Sequence, residues 1–209
     1  MKTIVFGATG NIGRLAVARM LKEGHDVTAF ARRPGKLGIE HPKLTPHAGD
    51  AMDPASVADA VRGHDAVVIT LGAGMSRKST IRSQGTMNVI EAMHQHGVRR
   101  LICQSTLGAH ESWSNLNFFW KRVMFGFLLR PVFLDHELQE KLVRASGLDW
   151  TIVRPSAFAD GPATGTFRED FGPNERKLTL TIPREDIAAF LARQLGDLAY
   201  LRRAVAISN

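Results

Sequence analysis

The chain has 209 residues, of which 44% are hydrophobic and 22% charged, a balance typical of a folded globular protein that excludes disordered and collagen-like classes. This length suits one large domain with a sizeable core. The net charge of +7 favours anionic partners, but no basic run exceeds two residues and no zinc-finger or recognition-helix spacing occurs, so we do not expect nucleic-acid binding.

The single cysteine and the most apolar stretch bear on the compartment. Cys103 lies in the apolar run RRLICQS, which predicts a buried thiol, and one cysteine excludes an internal disulfide. The chain starts without a charged-then-apolar leader, so we expect a cytoplasmic protein. Residues 117–134 are interrupted by Lys121, Arg122, Arg130 and Pro131 and fall short of the about 20 apolar residues that a membrane span requires.

Short apolar runs typical of strands alternate with longer amphipathic stretches typical of helices. The predicted strands are residues 2–7, 25–31, 43–49, 65–72, 99–105, 148–155 and 202–208. The predicted helices are residues 11–24, 53–63, 79–97, 135–147 and 184–196. This alternation predicts one α/β domain over residues 1–209, a doubly wound parallel sheet with helices on both faces in three α/β/α layers.

Two segments depart from the alternation. Residues 107–132 insert an apolar, helix-like piece, and residues 155–183 are rich in glycine, proline and threonine. Each follows the carboxyl end of a predicted strand, which is the edge where ligands bind in such sheets. We therefore expect both segments on the substrate side.

The stretch GATGNIG at residues 7–13 follows the first predicted strand and leads into a helix. In a dinucleotide-binding unit the first glycine permits a tight turn, the second lets the backbone approach the pyrophosphate, and the third lets helix and sheet pack closely. These roles fall here on Gly7, Gly10 and Gly13. The helix N-terminus then offers backbone N–H groups to the phosphates.

The end of the second predicted strand indicates which dinucleotide is bound. NAD-binding units place an acid about twenty residues after the glycines, whereas this chain reads AFARRPGK. Arg32, Arg33 and Lys36 suit a 2′-phosphate, so we expect NADP(H); the alternative is a solvated basic loop.

The ends of the third and fourth predicted strands, AGDAMD and LGAG, border the two halves of the cofactor. Asp50 either borders the adenine half or caps the helix that begins near Pro54, and both roles are compatible. The residues that we expect to hold the cofactor are Gly7, Thr9, Gly10, Asn11, Ile12, Gly13, Arg32, Arg33, Lys36, Asp50, Ala51, Leu71, Gly72, Ala73 and Pro155.

Together with these motifs, the serine after RRLICQ and the stretch ASGLDWTIVRPS resemble the NAD(P)H-binding, atypical branch of the short-chain dehydrogenase/reductase superfamily, which has a Rossmann fold. The resemblance covers nearly the whole chain. Within that branch, GHDAVVITLGAG, GTMNVIEAMHQHGVRRLICQS and DHELQEKL are most similar to the flavin reductase/biliverdin-IXβ reductase type.

The resemblance also implies that the chain lacks a catalytic pair found in typical members of the superfamily. Typical members use a tyrosine with a lysine four residues later as general acid or base, but the chain's one tyrosine is Tyr200, and Val132 and His136 stand at the positions of that pair. Flavins, quinones and linear tetrapyrroles accept hydride at a conjugated centre and take their proton from solvent or a weak donor. The expected partner is therefore a small planar acceptor of this kind.

In the similar reductases, a serine after the fifth strand and a histidine on the next helix lie beside the acceptor, which implies catalytic roles for Ser105 and His136. Ser105 would hydrogen-bond the acceptor or the nicotinamide amide, and His136 would donate a proton near neutral pH. Alternatively, Ser105 satisfies backbone groups and His136 is an ordinary helix residue. Ala157 replaces a second histidine of some members, which argues against direct transfer of the tetrapyrrole activity.

Three further features remain open. The insertion's aromatic residues either wall an acceptor pocket or form core or a subunit contact; they are Phe118, Phe119, Trp120, Phe125 and Phe127. Arg77, Lys78 and Arg82 either meet the phosphate of FMN or form a solvated helix start. No Cys, His or carboxylate cluster has zinc spacing, so we expect no metal.

The leading hypothesis is an NADPH-dependent reductase of a flavin, quinone or similar acceptor. The alternative is an NmrA-like protein that senses NADP(H) without turnover, because the missing Tyr/Lys pair fits both. A sugar-nucleotide epimerase or dehydratase is disfavoured since its redox cycle relies on the absent tyrosine. The sequence does not indicate an oligomeric state.

Overall fold

A computed structural model describes residues 1–74, 76 and 79–209. Among these residues the strands are β1 (Lys2–Phe6), β2 (Asp26–Ala31), β3 (Leu44–Ala48), β4 (Ala66–Ile69), β5 (Arg100–Gln104), β6 (Asp149–Pro155), β7 (Ala157–Ala159), β8 (Arg168–Glu169), β9 (Thr181–Pro183) and β10 (Arg203–Ser208). The α-helices are α1 (Asn11–Lys22), α2 (Pro54–Val61), α3 (Ile81–His96), α4 (Arg130–Ala145) and α5 (Arg184–Arg193). Short 3₁₀ turns occupy Pro34–Leu37 and His110–Asn115, and a π-helix occupies Phe119–Leu128.

The described strands form an eight-stranded sheet in the order β3-β2-β1-β4-β5-β6-β10-β8. All neighbours pair in parallel except the edge strand β8, which runs antiparallel to β10. The strand order reverses between β1 and β4, and ligands bind outside the carboxyl ends of the strands at such a point. The predicted doubly wound α/β/α fold is confirmed. The edge strand β8 and the separate β7-β9 pair were not predicted.

Helices cover both faces of the sheet, as the alternation predicts. On one face α1 packs against α5, over a core that includes Val17, Ile187 and Val205. On the other face α3 packs between α2 and α4, over Val89 and Met93. Cys103 lies in this second core and is fully buried, which confirms the predicted core thiol.

A buried ion pair fixes α4 on β6. Nε and Nη2 of Arg154 lie 2.8 Å and 2.6 Å from the two carboxylate oxygens of Glu140, and neither residue is more than 1% exposed. Glu111 adds a third contact, with Oε1 at 3.0 Å from Nη1 of Arg154. His136 lies one turn before Glu140 on the same face of α4, because residues four apart share a helix face.

The apolar insertion divides into a packed and an exposed part. Trp120 and Phe125 pack with Phe133 in a third core cluster, and the Phe125 and Phe133 rings stack with centroids 4.8 Å apart. Phe118 and Phe127 are 76% and 79% exposed. No helix in the described part of the chain combines the length and apolarity that crossing a membrane requires.

Candidate cofactor and acceptor cleft

A cleft of about 760 Å³ opens at the carboxyl ends of β1, β4 and β5, at the reversal of strand order. Its lining comes from the glycine loop, the ends of β2, β4 and β5, the loop before α2, the start of α3, His136 within α4, and β7. Both predicted halves of the site, the glycine loop and Ser105 with His136, line this one cleft.

The glycine loop is too tight for other residues. Gly7 has φ +82°, and a Cβ there would lie 2.5 Å from the carbonyl oxygen of Thr70. A Cβ on Gly13 would lie 2.2 Å from the carbonyl oxygen of Gly7. Gly7, Thr9, Gly10, Asn11 and Ile12 line the cleft, whereas Gly13 is buried and lets α1 pack against the loop.

The loop also leaves donors for a phosphate group. Helix α1 begins at Asn11, and its N-cap, Gly10, supplies no side-chain hydrogen bond to the first turn. The N–H groups of a first helical turn lack partners within the helix and attract anions. A loop without side chains at Gly7 and Gly10 therefore fits the pyrophosphate of a dinucleotide.

The basic segment after β2 contributes only one of its three predicted residues to the cleft. Arg32 lines the cleft, while Arg33 and Lys36 are exposed and lie outside the lining. Pro155 is buried at the end of β6 and is also outside the lining. Its carbonyl oxygen accepts a hydrogen bond of 2.8 Å from the N–H of Leu107, so its visible role is to hold that loop.

The predicted residues after β3 and β4 line the cleft between its ends; they are Asp50, Ala51, Leu71, Gly72 and Ala73. The suggestion that Asp50 caps α2 is wrong, because Asp53 is the cap and accepts a hydrogen bond of 3.1 Å from the N–H of Ala55. Asp50 instead closes a turn by accepting a bond of 3.0 Å from the N–H of Met52. The Asn88 side chain fixes the loop through a bond of 2.8 Å to the carbonyl oxygen of Ala51.

At the other end of the cleft, several buried polar atoms lack a hydrogen-bond partner among the described residues. They are Oγ of Ser105, Oε1 of Gln104, Nδ1 of His136, and Nε and Nη1 of Arg82, all from residues that line the cleft. Buried polar groups in folded proteins are nearly always paired. Four residues with unsatisfied atoms in one cleft indicate a site for a polar ligand.

The surroundings of His136 favour the neutral form of its imidazole. Burial, together with the positive charge of Arg82, lowers its pKa to about 3, although a hydrogen bond to Gln139 acts in the opposite direction. A cationic His136 that donates a proton near neutral pH does not fit this environment. The Nδ1 atom of the neutral ring has no partner among the described residues and can donate to a ligand or accept from it, depending on the tautomer.

The sequence did not single out several lining residues, among them Thr70, Gln104 and Phe158. Phe158 is 44% exposed, and the guanidinium carbon of Arg184 lies 5.9 Å from the centroid of its ring. It belongs to the segment 155–183, so that segment does contribute to the cleft. The lining contains none of the aromatic residues of the insertion, so they do not wall the cleft.

Tyr200 lies outside the cleft lining, whereas Arg82 contributes to it. Tyr200 packs on Phe190, with ring centroids 6.1 Å apart, and is not in the cleft lining. Arg82 lines the cleft, whereas Arg77 and Lys78 lie outside the described residues. Within the described ranges, no three His, Cys, Asp or Glu residues are grouped so that they could hold a metal ion.

Known proteins share this architecture. The chain is 27% identical over 220 residues to the UPF0659 protein YMR090W of Saccharomyces cerevisiae, covering 100% of this chain and 93% of that protein. It superposes with TM-score 0.83 on a short-chain dehydrogenase/reductase from Veillonella parvula in complex with NADP, which is 19% identical (100% and 94% of the two chains covered). ChuY, an anaerobillin reductase from Escherichia coli O157:H7, gives TM-score 0.79 at 24% identity, with 99% and 96% covered.

The two structural likenesses show a common fold. The family follows from the sequence: a family model described as NAD(P)H-binding matches residues 7–198, which include the glycine loop, the basic segment and every lining residue of the cleft. The chain thus belongs to the NAD(P)H-binding family.

Proposed function

We propose that the protein is an NADPH-dependent reductase that transfers hydride to a planar conjugated acceptor, such as a flavin, a quinone or a tetrapyrrole-like molecule. The observation that carries the proposal is a set of buried polar atoms on Gln104, Ser105 and His136 that have no hydrogen-bond partner among the described residues. They lie in the same cleft as the glycine loop and the exposed ring of Phe158. The structural likeness to ChuY, an anaerobillin reductase, supports a reductase of this kind.

The residues that would hold the cofactor are those of the glycine loop and of the strand ends. The first turn of α1 would bind the pyrophosphate. Arg32, assisted by the exposed Arg33 and Lys36, would bind the 2′-phosphate, and residues 50–51 and 71–73 would border the adenine and nicotinamide halves. When bound, NADPH supplies the hydride.

The residues at the acceptor end of the cleft would act by orienting the acceptor against the cofactor. Ser105 and Gln104 would hydrogen-bond the acceptor or the nicotinamide amide, because their buried Oγ and Oε1 atoms have no partner in the described residues. Phe158 would stack on the acceptor's ring, and the neutral His136 would donate its N–H to an acceptor oxygen or nitrogen. Correct placement of two planar rings supplies much of the rate acceleration, and solvent supplies the proton.

The test is NADPH oxidation with FMN, riboflavin and menadione, beside NADPH binding on the same preparation. We expect turnover in the wild type and at least about a tenfold loss of kcat/KM in Ser105→Ala with unchanged NADPH affinity, since one such hydrogen bond is worth about 1.4 kcal/mol. The control is Ser114→Ala, because the Ser114 hydroxyl donates only to carbonyl oxygens outside the cleft.

Tight NADPH binding without oxidation of any acceptor would overturn the reductase proposal. That result would favour a protein that senses NADP(H) and acts through a partner. Equal activity of Ser105→Ala and Ser114→Ala would support the reductase reaction but show that Ser105 takes no part in it.

A further inference from the structure

Arg82, in the first turn of α3, presents a mostly buried cation to the cleft. Its side chain is 13% exposed, and its Nε and Nη1 atoms are buried without a hydrogen-bond partner among the described residues. Burying a charged group without hydrogen bonds is costly, so such groups are normally paired. A guanidinium whose donors lack partners inside a ligand cleft is suited to bind an anion.

The nearest carboxylate, that of Asp135, does not satisfy the guanidinium. Asp135 accepts hydrogen bonds from the Ser83 hydroxyl at 2.5 Å, the Ser83 N–H at 3.0 Å and the Arg82 backbone N–H at 3.1 Å. Its Oδ2 lies 3.7 Å from Nη1 of Arg82, which is beyond hydrogen-bond distance. Asp135 therefore caps α3 and balances the charge of Arg82 only in part.

The position of Arg82 points to the acceptor rather than to the 2′-phosphate. Its Nη2 atom lies 3.9 Å from where a Cβ of Gly72 would stand, at the end of β4. Its positive charge acts on His136. Arg32, the predicted 2′-phosphate ligand, lines the cleft from the end of β2, two strands away from β4 in the sheet order.

We propose that Arg82 binds a phosphate or carboxylate group of the acceptor, so that the cleft selects planar acids over neutral planar molecules. This inference rests on the proposed reductase function. The guanidinium donates hydrogen bonds to the anion while the ring of the acceptor lies against Phe158. Arginine suits this role because its planar donors match the oxygens of either anion.

The test uses two pairs of probes that differ only in the acidic group. FMN is compared with riboflavin, and anthraquinone-2-carboxylate with 2-(hydroxymethyl)anthraquinone, by binding to the protein saturated with NADP⁺. We expect the wild type to bind the acid of at least one pair about tenfold or more tightly than its neutral partner. The pair that shows the preference identifies phosphate or carboxylate as the recognised group.

Arg82→Gln is expected to abolish that preference by weakening only the acid, and Arg82→Lys to retain part of it. The matched control is Arg62→Gln, because Arg62 is 68% exposed. Thermal unfolding of each variant shows that the fold is kept.

Three results would overturn the inference: no preference for either acid, a preference that survives in Arg82→Gln, or a loss of NADPH affinity in that variant with the acid preference intact. Because binding is measured without turnover, failure of every acceptor to be reduced would reject the reductase function independently.

Discussion

The carboxylate of Asp135 on α4 lies 2.5 Å from the hydroxyl of Ser83 and 3.0 Å from its backbone N–H, at the start of α3. This contact joins the helices that follow β4 and β5. It also fixes Arg82 and His136, the sequence neighbours of Ser83 and Asp135, on the same cleft.

Asp135→Ala should lower the free energy of unfolding by about 3 kcal/mol, because it leaves the buried N–H of Ser83 without an acceptor and leaves its hydroxyl only the carbonyl oxygen of Thr80, 3.3 Å away. The matched control is Asp53→Ala, which removes an exposed cap of α2 and should cost about 1 kcal/mol. Urea unfolding of both variants measures the difference. Equal losses would show that the Asp135 contact acts as an ordinary surface cap.

Gly13→Ala should reduce both stability and NADPH affinity. The added Cβ would lie 2.2 Å from the carbonyl oxygen of Gly7 and 2.7 Å from Oγ1 of Thr70, so α1 must shift away from the loop. We expect a loss of about 2 kcal/mol or more in stability and at least about tenfold in NADPH affinity. Gly196→Ala is the control, since no heavy atom lies within 4 Å of its added Cβ.

Unchanged NADPH binding in Gly13→Ala would contradict the role assigned to the third glycine. Calorimetric titration of the two variants with NADPH, followed by thermal unfolding, is sufficient to decide this.

The sequence predicted what depends on local patterns. Periodic apolar residues identify the seven main strands and the five helices. The glycine motif identifies Gly7 and Gly13. Both signals lie in short stretches of sequence, so no knowledge of the tertiary structure is needed to find them. The strands β7, β8 and β9 have two or three residues and carry no period. Their place depends on distant pairing, and Phe158 on β7 was missed for that reason.

The contacts of buried charged residues were the second feature that the sequence did not predict. Arg154 and Glu140 are 14 positions apart, in a strand and a helix whose sequences give no sign of an ion pair. Only the packing of α4 on β6 brings the two side chains together. The same holds for Arg82. Its Nε and Nη1 atoms have no hydrogen-bond partner among the described residues, because Asp135, 53 positions away, accepts from the N–H groups of Arg82 and Ser83 and from the Ser83 hydroxyl. Charge pairing across a fold is not visible in sequence spacing.

Arg32→Ala should weaken NADPH binding by about ten- to a hundredfold and leave NADH binding nearly unchanged, because only NADPH carries the 2′-phosphate. Arg33→Ala, whose side chain lies outside the cleft lining, should have a smaller effect. Titrations with both dinucleotides measure the ratio. A parallel loss of NADH affinity would show that Arg32 binds a part common to the two cofactors.

The lowered pKa of His136 should make the fold sensitive to acid. Its pKa is about 3 in the folded protein, because of burial and the charge of Arg82, against an ordinary value of 6.5. Between these values the unfolded chain binds a proton that the folded chain does not, so stability falls as the pH decreases, by up to about 1.4 kcal/mol per pH unit. From pH 7 to pH 5 the wild type should therefore lose up to about 2 kcal/mol more than His136→Gln.

Urea unfolding at the two pH values provides this comparison. His64 adds to the acid loss in both proteins, because burial lowers its pKa as well, and so cancels in the difference. His41→Gln, at an exposed histidine, controls for the substitution and should follow the wild type. If His136→Gln lost as much stability as the wild type, the imidazole would be taking up its proton in the folded state, and His136 would regain the role of a proton donor near neutral pH.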